Sequence, residues 1–583
     1  MSRVEQETFW AGKGAGTRAT LLCLVFVVAL ALYLPLLDAG FVNWDDPLYV
    51  YQNPHIRSLD LRWVFKAVVA SNYHPLTLLS HTLDYALFGL WPGGHHLTSI
   101  ILHGLNSALF FVLCQRILTL LYEEQRSGGM LWPELGALAA SLLFALHPLH
   151  VESVAWVSER KDVLSSFFFL LSILAYLEYA LGRKKALWYA STLACFILAL
   201  LSKPMAVTLP VVLLVIDYYP LKRDVGSWRG AIIEKIPFFF LSLAWAIITV
   251  WAQRAGGGLR SLETHGLGTR IYLALRAVLF YPYKLIAPLN LSPYYPLPFH
   301  ISLMSASFLG SLVIIVVITL VCLLLRAKRW PLALWVFYIV TLLPVSGLVT
   351  VGGQAVADRY AYIPTMGFFV LAGAALCRGL GGPAPGSHSR VRPGRALLVL
   401  PAIAGLLLGI QTIRQVRIWH DSISLMTRAI ELYPDRVSIP YNNRALAYDR
   451  RGELEKALAD YDLAIAISPE FADAYINRGI LYGETSRFEK AIEDFDRAIT
   501  LDPENAKAYL NRGAAYLMLG EYGAAIADLQ RATVLAPENA TALYNLGLAY
   551  MDTGEEGKAL EAMRRAAALG LNQARDFLRN KGL

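Results

Sequence analysis

The sequence predicts an all-α protein: a polytopic helical membrane bundle of about eleven spans followed by a C-terminal α-solenoid. Three observations predict it. The 583 residues are 56% hydrophobic, too apolar for a soluble chain of this length. Long apolar runs recur throughout residues 1–414. From residue 441 onward the chain repeats itself with a period of 34.

Charge divides the chain the same way. Residues 415–583 hold 25 acidic and 20 basic side chains, a net charge of −5, and the remainder carries +13. The overall +8 is therefore an excess of positive membrane loops. No basic stripe with interleaved aromatics is present, so a nucleic-acid partner is not expected. The five cysteines, Cys23, Cys114, Cys195, Cys322 and Cys377, lie inside apolar segments without CxxC spacing. They imply neither a disulfide framework nor a thiolate metal site.

In chain order, Arg3, Lys13 and Arg18 precede an apolar run over 20–37, long enough to cross ~30 Å of hydrocarbon. No small-x-small cleavage site follows, which predicts an uncleaved anchor with a cytoplasmic N-terminus. Residues 39–96 form a first outer loop carrying Asp45, Asp46, His55, His74, His81 and Asp84, with short interfacial helices. Further spans are expected near 97–121, 134–146, 163–181, 186–201, 204–220, 236–252, 303–325, 331–350, 361–377 and 395–413. A Pro-containing piece over 271–288 is read as re-entrant or interfacial. That choice places Lys184-Lys185, Lys222-Arg223, Arg326-Lys328-Arg329 and Arg390-Arg392-Arg395 all inside. It puts the C-terminal region outside, on the face of Asp45 and Asp46.

The membrane domain covers 1–414 and a connecting half-repeat 415–440. Repeats then fall near 438–471, 472–505, 506–539 and 540–573, within a tetratricopeptide domain at 441–583. Tyr441, Ala445, Tyr448, Ala457, Tyr461, Ala464 and Pro469 recur as Tyr475, Gly479, Tyr482, Ala491, Phe495, Ala498 and Pro503. Small residues let paired helices cross closely, aromatics fill between them, and Pro closes the second helix. Such a solenoid offers a concave surface for a peptide or partner, and no chemistry of its own.

Chemistry is sought at the membrane–water boundary. Asp45 and Asp46 follow the first span, between Trp44 and Pro47-Leu48-Tyr49. Mutual repulsion can hold one proton more tightly and leave a poised base. A solvated loop start with an interfacial Trp and Tyr belt is the alternative. The outer-face polar residues also include His74, His147, His150, Glu152, Arg160, Lys161, Asp162, Lys203, Asp358 and Arg359. Charges at this depth are costly unless paired or functional. Their natural ligand is anionic and lipid-linked, with Arg and Lys on a phosphate and a carboxylate handling a proton. Eight of the twelve histidines lie between 55 and 150, but their spacing matches no compact metal motif. No metal ligands are assigned, and a divalent metal stays open.

An acidic pair after the first span, then H-P-x-H-x-E-x-V-A-W with R-K-D at 147–162, then L-S-K ending at Lys203, then D-R-Y-x-Y-x-P from Asp358, then tetratricopeptide repeats, resembles one family in this order. It is the transmembrane and tetratricopeptide-repeat-containing protein O-mannosyltransferases, polyprenol-dependent glycosyltransferases of the GT-C class. The resemblance implies a polyprenyl-phosphate-linked hexose donor, mannose in the family, and a hydroxyl acceptor such as protein Ser or Thr. Asp45 would be the general base and Asp46 would orient the acceptor. Arg160, Lys161, Lys203 and Arg359 would hold the phosphate. His150 and Glu152 would line the sugar or support the loop, with His147 and Asp162 beside them. The solenoid would bind the acceptor or a partner. Lys203 is followed by Pro204 where animal members have Lys-Glu. This points to a bacterial relative in the inner membrane with its site on the periplasmic face, as does the lack of a C-terminal retrieval signal. The other readings are a different polyprenol-dependent enzyme of surface-glycan assembly and a non-enzymatic membrane scaffold or receptor.

Overall fold

A computed structural model describes residues 14–122, 132–182, 184–223, 228–257, 266–298, 305–348, 353–380 and 396–582. Arg3, Lys13, Arg390, Arg392 and Arg395, used above to orient the chain, lie outside the described residues. The chain divides into two compact units, Met1–Arg428 and Ala429–Leu583.

The described residues form helices joined by loops, with two isolated bridges, Val69 with Asn72 and Pro296 with Gln354. The first unit contains α1 (Ala15–Tyr33), α2 (Leu61–Val64), α3 (Pro75–Phe88), α4 (Pro92–Tyr122), α5 (Trp132–Ala145), α6 (Val151–Ala155), α7 (Arg160–Ala180) and α8 (Lys185–Ser202). Then come α9 (Leu209–Tyr218), α10 (Trp228–Ala255), α11 (Leu267–Ile286), α12 (Ala306–Leu324), α13 (Trp330–Leu342), α14 (Met366–Gly379) and α15 (Ala396–Ile418). Pro75 and Pro92 open α3 and α4, where a missing N–H costs nothing and φ is already helical.

Among the described residues, seven helices are long and apolar enough to cross a membrane: those within Ala15–Asp38, Pro92–Tyr122, Val157–Ala180, Lys185–Ser202, Arg229–Ala255, Ala306–Leu324 and Val399–Ile418. The other four expected spans differ in form. The one near 134–146 is a pair, Trp132–Ala145 and Pro148–Ala155, bent by 53°. Those near 204–220, 331–350 and 361–377 are apolar helices of fewer than 18 residues. The piece at 271–288 is the helix α11, and it is not among the candidate spans.

Small residues set the closest crossings. A Cβ on Gly136 of α5 would collide with Cys377 Sγ and the Gly373 carbonyl of α14, and one on Gly373 with the Gly136 carbonyl. Without side chains at this pair, backbones approach and dispersion replaces the weak hydrophobic drive available in lipid. Within and against residues 39–96, Tyr49, Val50, Ile56, Val64, Leu78 and Val157 form a small separate core. This core fastens residues 49–78 to the start of α7.

The helix α16 (Ser422–Leu432) runs across the boundary, and the second unit then stacks helix pairs: α17 (Ser438–Asp449) with α18 (Leu454–Ile467), then α19 (Ala472–Glu484) with α20 (Phe488–Leu501). Next are α21 (Ala506–Leu519) with α22 (Tyr522–Leu535), α23 (Ala540–Asp552) with α24 (Glu556–Ala568), and a closing α25 (Asn572–Asn580). A Cβ on Gly513 would meet Leu529 Cγ at 2.8 Å, and one on Gly547 would meet Met563 Cε at 2.9 Å. The second, third and fourth repeats therefore keep Gly479, Gly513 and Gly547 where their paired helices cross, while the first has Ala445. Arg478 makes a bidentate pair with Asp494 at 2.9 and 2.7 Å, and Arg512 does the same with Asp528 at 2.7 Å.

Candidate active site

The 147–162 motif builds the site because its Pro breaks a helix. His147 precedes Pro148, which disfavours α geometry, and its backbone is extended at ψ 125°. Its Nδ1 accepts from the Leu149 N–H at 3.2 Å and caps the turn. That leaves Nε2–H to donate to the Leu285 carbonyl at 3.0 Å. His150 donates from Nδ1 to the Phe144 carbonyl at 2.8 Å and packs among Phe144, Tyr362 and Phe369. Both imidazoles are buried with their nitrogens engaged, so they hold the turn rather than face a ligand.

Beyond this turn, Glu159 binds three cations from three segments. Its Oε1 lies 3.0 Å from Lys161 Nζ and 3.3 Å from Arg359 Nε, and its Oε2 lies 3.1 Å from Lys203 Nζ. Lys203 also pairs with Asp162 at 2.7 Å. Arg359 pairs with Glu152 through its guanidinium, and its backbone N–H donates to Glu152 Oε2 at 3.0 Å. The guanidinium lies 5.3 Å from the Trp156 ring and 4.9 Å from the Tyr360 ring. Lys161 lies 5.0 Å from the Tyr49 ring. Burial raises the Asp358 carboxyl well above the usual carboxylate range, and nearby Glu152 adds to the rise. Tyr295 donates to Asp358 at 2.8 Å.

The acidic pair meets this cluster unequally. Asp46 is 1% exposed, and both its oxygens are taken. Oδ2 accepts from the Val42 N–H at 2.9 Å, while Oδ1 accepts from the Ser158 N–H at 3.0 Å and its hydroxyl at 2.5 Å. Burial pushes its pKa up to about 6 despite these donors. Asp45 is half-buried, and among the described residues its carboxylate has no hydrogen-bonding or ion-pairing partner. Burial raises its pKa, Lys161 and Arg359 lower it, and Glu159 raises it. Trp44 stacks near Trp156 at 5.0 Å and Tyr294 at 6.1 Å, so aromatic walls flank the acid.

The expected residues thus divide. Asp45, Glu152, Lys161, Asp162, Lys203 and Arg359 come together. Arg160 does not join them. It is wholly buried, pairs with Asp84 at 2.5 Å, and donates to the His95 carbonyl at 2.6 Å. Consecutive residues at the start of α7 leave the helix in different directions, which separates Arg160 from Lys161. The phosphate role expected of Arg160 is therefore corrected: its guanidinium is committed to a loop anchor. The acceptor-orienting role expected of Asp46 meets the same obstacle, since neither oxygen is available. Glu159, which pairs with three cations, and Ser158, which holds Asp46, are positions the residue types alone did not single out. Both stand inside the 147–162 motif, and that position was the available signal.

Family models described as "TPR repeat" match residues 445–486, 484–520 and 518–554, and one described as "Tetratricopeptide repeat" matches 540–569. Human Protein O-mannosyl-transferase TMTC1 is 26% identical over 500 residues, 75% of this chain and 54% of that protein. The Xenopus laevis protein tmtc2 is 31% identical over 251 residues, covering 39% of this chain and 28% of its own. The Caenorhabditis elegans Protein O-mannosyl-transferase F38B6.6 is 24% identical over 477 residues, 79% of this chain and 64% of that protein. The chain spans about half the length of TMTC1 and less of tmtc2. Among solved structures, MamA matches 26% of this chain and 89% of its own at 22% identity and a TM-score of 0.24. The chain is similar in sequence to TMTC-family protein O-mannosyl-transferases, and its second unit carries tetratricopeptide repeats.

Proposed function

We propose that the protein is a membrane glycosyltransferase that moves a hexose, mannose by its relatives' names, from a polyprenyl-phosphate donor to a hydroxyl of a protein Ser or Thr. One observation carries this reading: Asp45 presents an unpartnered carboxylate beside Lys161 and Arg359 at the end of the first span. In this scheme Asp45 accepts the proton of the acceptor hydroxyl as its oxygen attacks the anomeric carbon. The bond from that carbon to the phosphate oxygen breaks, and the phosphate leaves with the electron pair. A phosphate needs little acid help to leave, so no second catalytic carboxyl is required.

Lys161 and Arg359 are the cations that act on Asp45, and they would neutralise the phosphate. Glu159, Asp162 and Glu152 hold these cations and Lys203 in position before the donor arrives. Asp46 is a positioning residue: it fastens the loop to Ser158 and so aims its neighbour. His147, His150 and Arg160 position the turn and the loop. The solenoid would take the acceptor or a partner protein. Its α17 and α19 present Asn442 and Asn477, linked at 3.0 Å, with Lys507 of α21 bonded to Asn477 at 3.1 Å. The extracytoplasmic face of a bacterial inner membrane is the location we assign to the site.

The test is transfer from labelled polyprenyl-phosphate mannose to a Ser/Thr peptide by membranes carrying the full chain. Asp45→Asn is expected to lower the rate by a factor of about 10² to 10⁴, the usual share of a general base, without loss of assembled protein. Transfer at the wild-type rate would remove Asp45 from the mechanism.

A further inference from the structure

We propose that His81, Asp84 and His95 bind a divalent transition-metal ion, zinc by the chemistry of the donors, at the corner between α3 and α4. Each of the three offers one ligand atom, and these atoms lie within 4.8 Å of one another. All three side chains are buried. His95 Nδ1 is 3.5 Å from Asp84 Oδ2. Two ligands of one tetrahedral zinc, at 2.0–2.1 Å each, stand about 3.3 Å apart, so this edge is close to formed.

The remaining atoms of these residues orient the donors. His95 directs its Nε2 to the Gly89 carbonyl at 3.0 Å. With Nε2–H donating, the Nδ1 lone pair faces Asp84. Thr98 donates to Asp84 Oδ1 at 2.7 Å and leaves Oδ2 toward the histidines. Metal-binding imidazoles and carboxylates are typically held this way through their far atoms. His81 supplies an independent observation: it is 0% exposed and neither ring nitrogen has a hydrogen-bond partner among the described residues. A buried imidazole with two unpartnered nitrogens is a group a metal would satisfy.

The backbone fits the same purpose. His81 and Asp84 stand three apart on α3, on one helical face. The turn between the helices is only Gly89 to Trp91, so His95 in the first turns of α4 is brought back over that face. The sequence spacing hides the set because this turn interrupts it.

Arg160 is the opposing charge. It contacts Asp84 Oδ2 at 2.5 Å and the His95 carbonyl at 2.6 Å, and an ion would share that oxygen with it. Two histidines and one carboxylate suit zinc with a fourth position for water. Such an ion would pin the first outer loop to α4, one residue away from the helix position that presents Lys161.

The test uses the full chain in detergent, stripped by chelator and titrated with Co²⁺ alone, then with Zn²⁺. Expected are one equivalent per chain, visible absorption of a four-coordinate nitrogen/oxygen site, and displacement by Zn²⁺. His81→Gln and His95→Gln should each weaken binding at least tenfold, and His55→Gln, on an exposed residue of the same loop, should not. Zinc should also raise the wild-type unfolding midpoint, since an ion bound only to the native state stabilises it. Failure of the wild type to bind overturns the proposal, as does equal binding by monodisperse His81→Gln and His95→Gln. An unmoved unfolding midpoint at saturating zinc overturns it even where the variants do not fold.

Discussion

The backbone N–H of Val42 and both donors of Ser158 converge on Asp46, while Asp45, one residue earlier, keeps a carboxylate with cations near it and no hydrogen-bonding or ion-pairing partner among the described residues. The pair was legible in the sequence as two acids at a membrane boundary. The difference between them was not, because it depends on Ser158, 112 residues further along. Two outcomes follow from the environments. Lys161 lowers the Asp45 pKa, so Lys161→Met should raise it and move the acidic limb of the pH–rate profile to higher pH. An unmoved limb would mean that Asp45 does not titrate in that limb. For Asp46 the folded pKa of about 6 lies above the ordinary value of 3.8. The native state then holds the extra proton between these values, so this residue's contribution is greatest below pH 4 and falls as pH rises through about 6. The loss amounts to at most about 3 kcal/mol at 1.36 kcal/mol per unit. Asp46→Asn should flatten the unfolding midpoint between pH 4.5 and 7, while wild type declines.

At the scale of elements, apolar runs identify helices well because hydropathy needs no partner. They identify full spans poorly where Pro interrupts. Pro148 turns one expected span into a pair bent by 53°, and Pro204 and Pro331 open two of the short apolar helices. The presence of tetratricopeptide repeats was legible, since equivalent positions answer to the same neighbours 34 residues apart. The crossing of α5 and α14 was not, because nothing local marks Gly136 and Gly373 as facing each other. Gly373→Leu should cost about 1–3 kcal/mol by overpacking and lower the unfolding midpoint of the detergent-extracted chain. A Leu tolerated there at wild-type stability would mean the helices do not touch at this point.

At the scale of the membrane unit, the cation–carboxylate cluster joins residues from the 152–162 segment, the end of α8 and the approach to α14. Each charge was visible in the sequence, and outer-face loops were expected to bring them together. Which cation answers to which acid was not visible, because pairing is set by packing across 200 residues. Glu159 is the member shared by Lys161, Lys203 and Arg359. Removing one partner of a buried ion pair strands the others, at a cost of about 3–5 kcal/mol. Glu159→Gln should therefore reduce the yield of monodisperse protein more than Asp45→Asn does.

The N–H of Asn43 donates to Ser422 Oγ at 2.9 Å across 379 positions of chain. A ribosome adding 5–20 residues each second needs about 20–80 s to deliver that serine after the asparagine. Throughout this interval the first outer loop stands on its membrane anchor without one of its native tethers. A nascent chain arrested before Ser422 lacks the hydroxyl that accepts from Asn43, so its loop cannot complete the fastening.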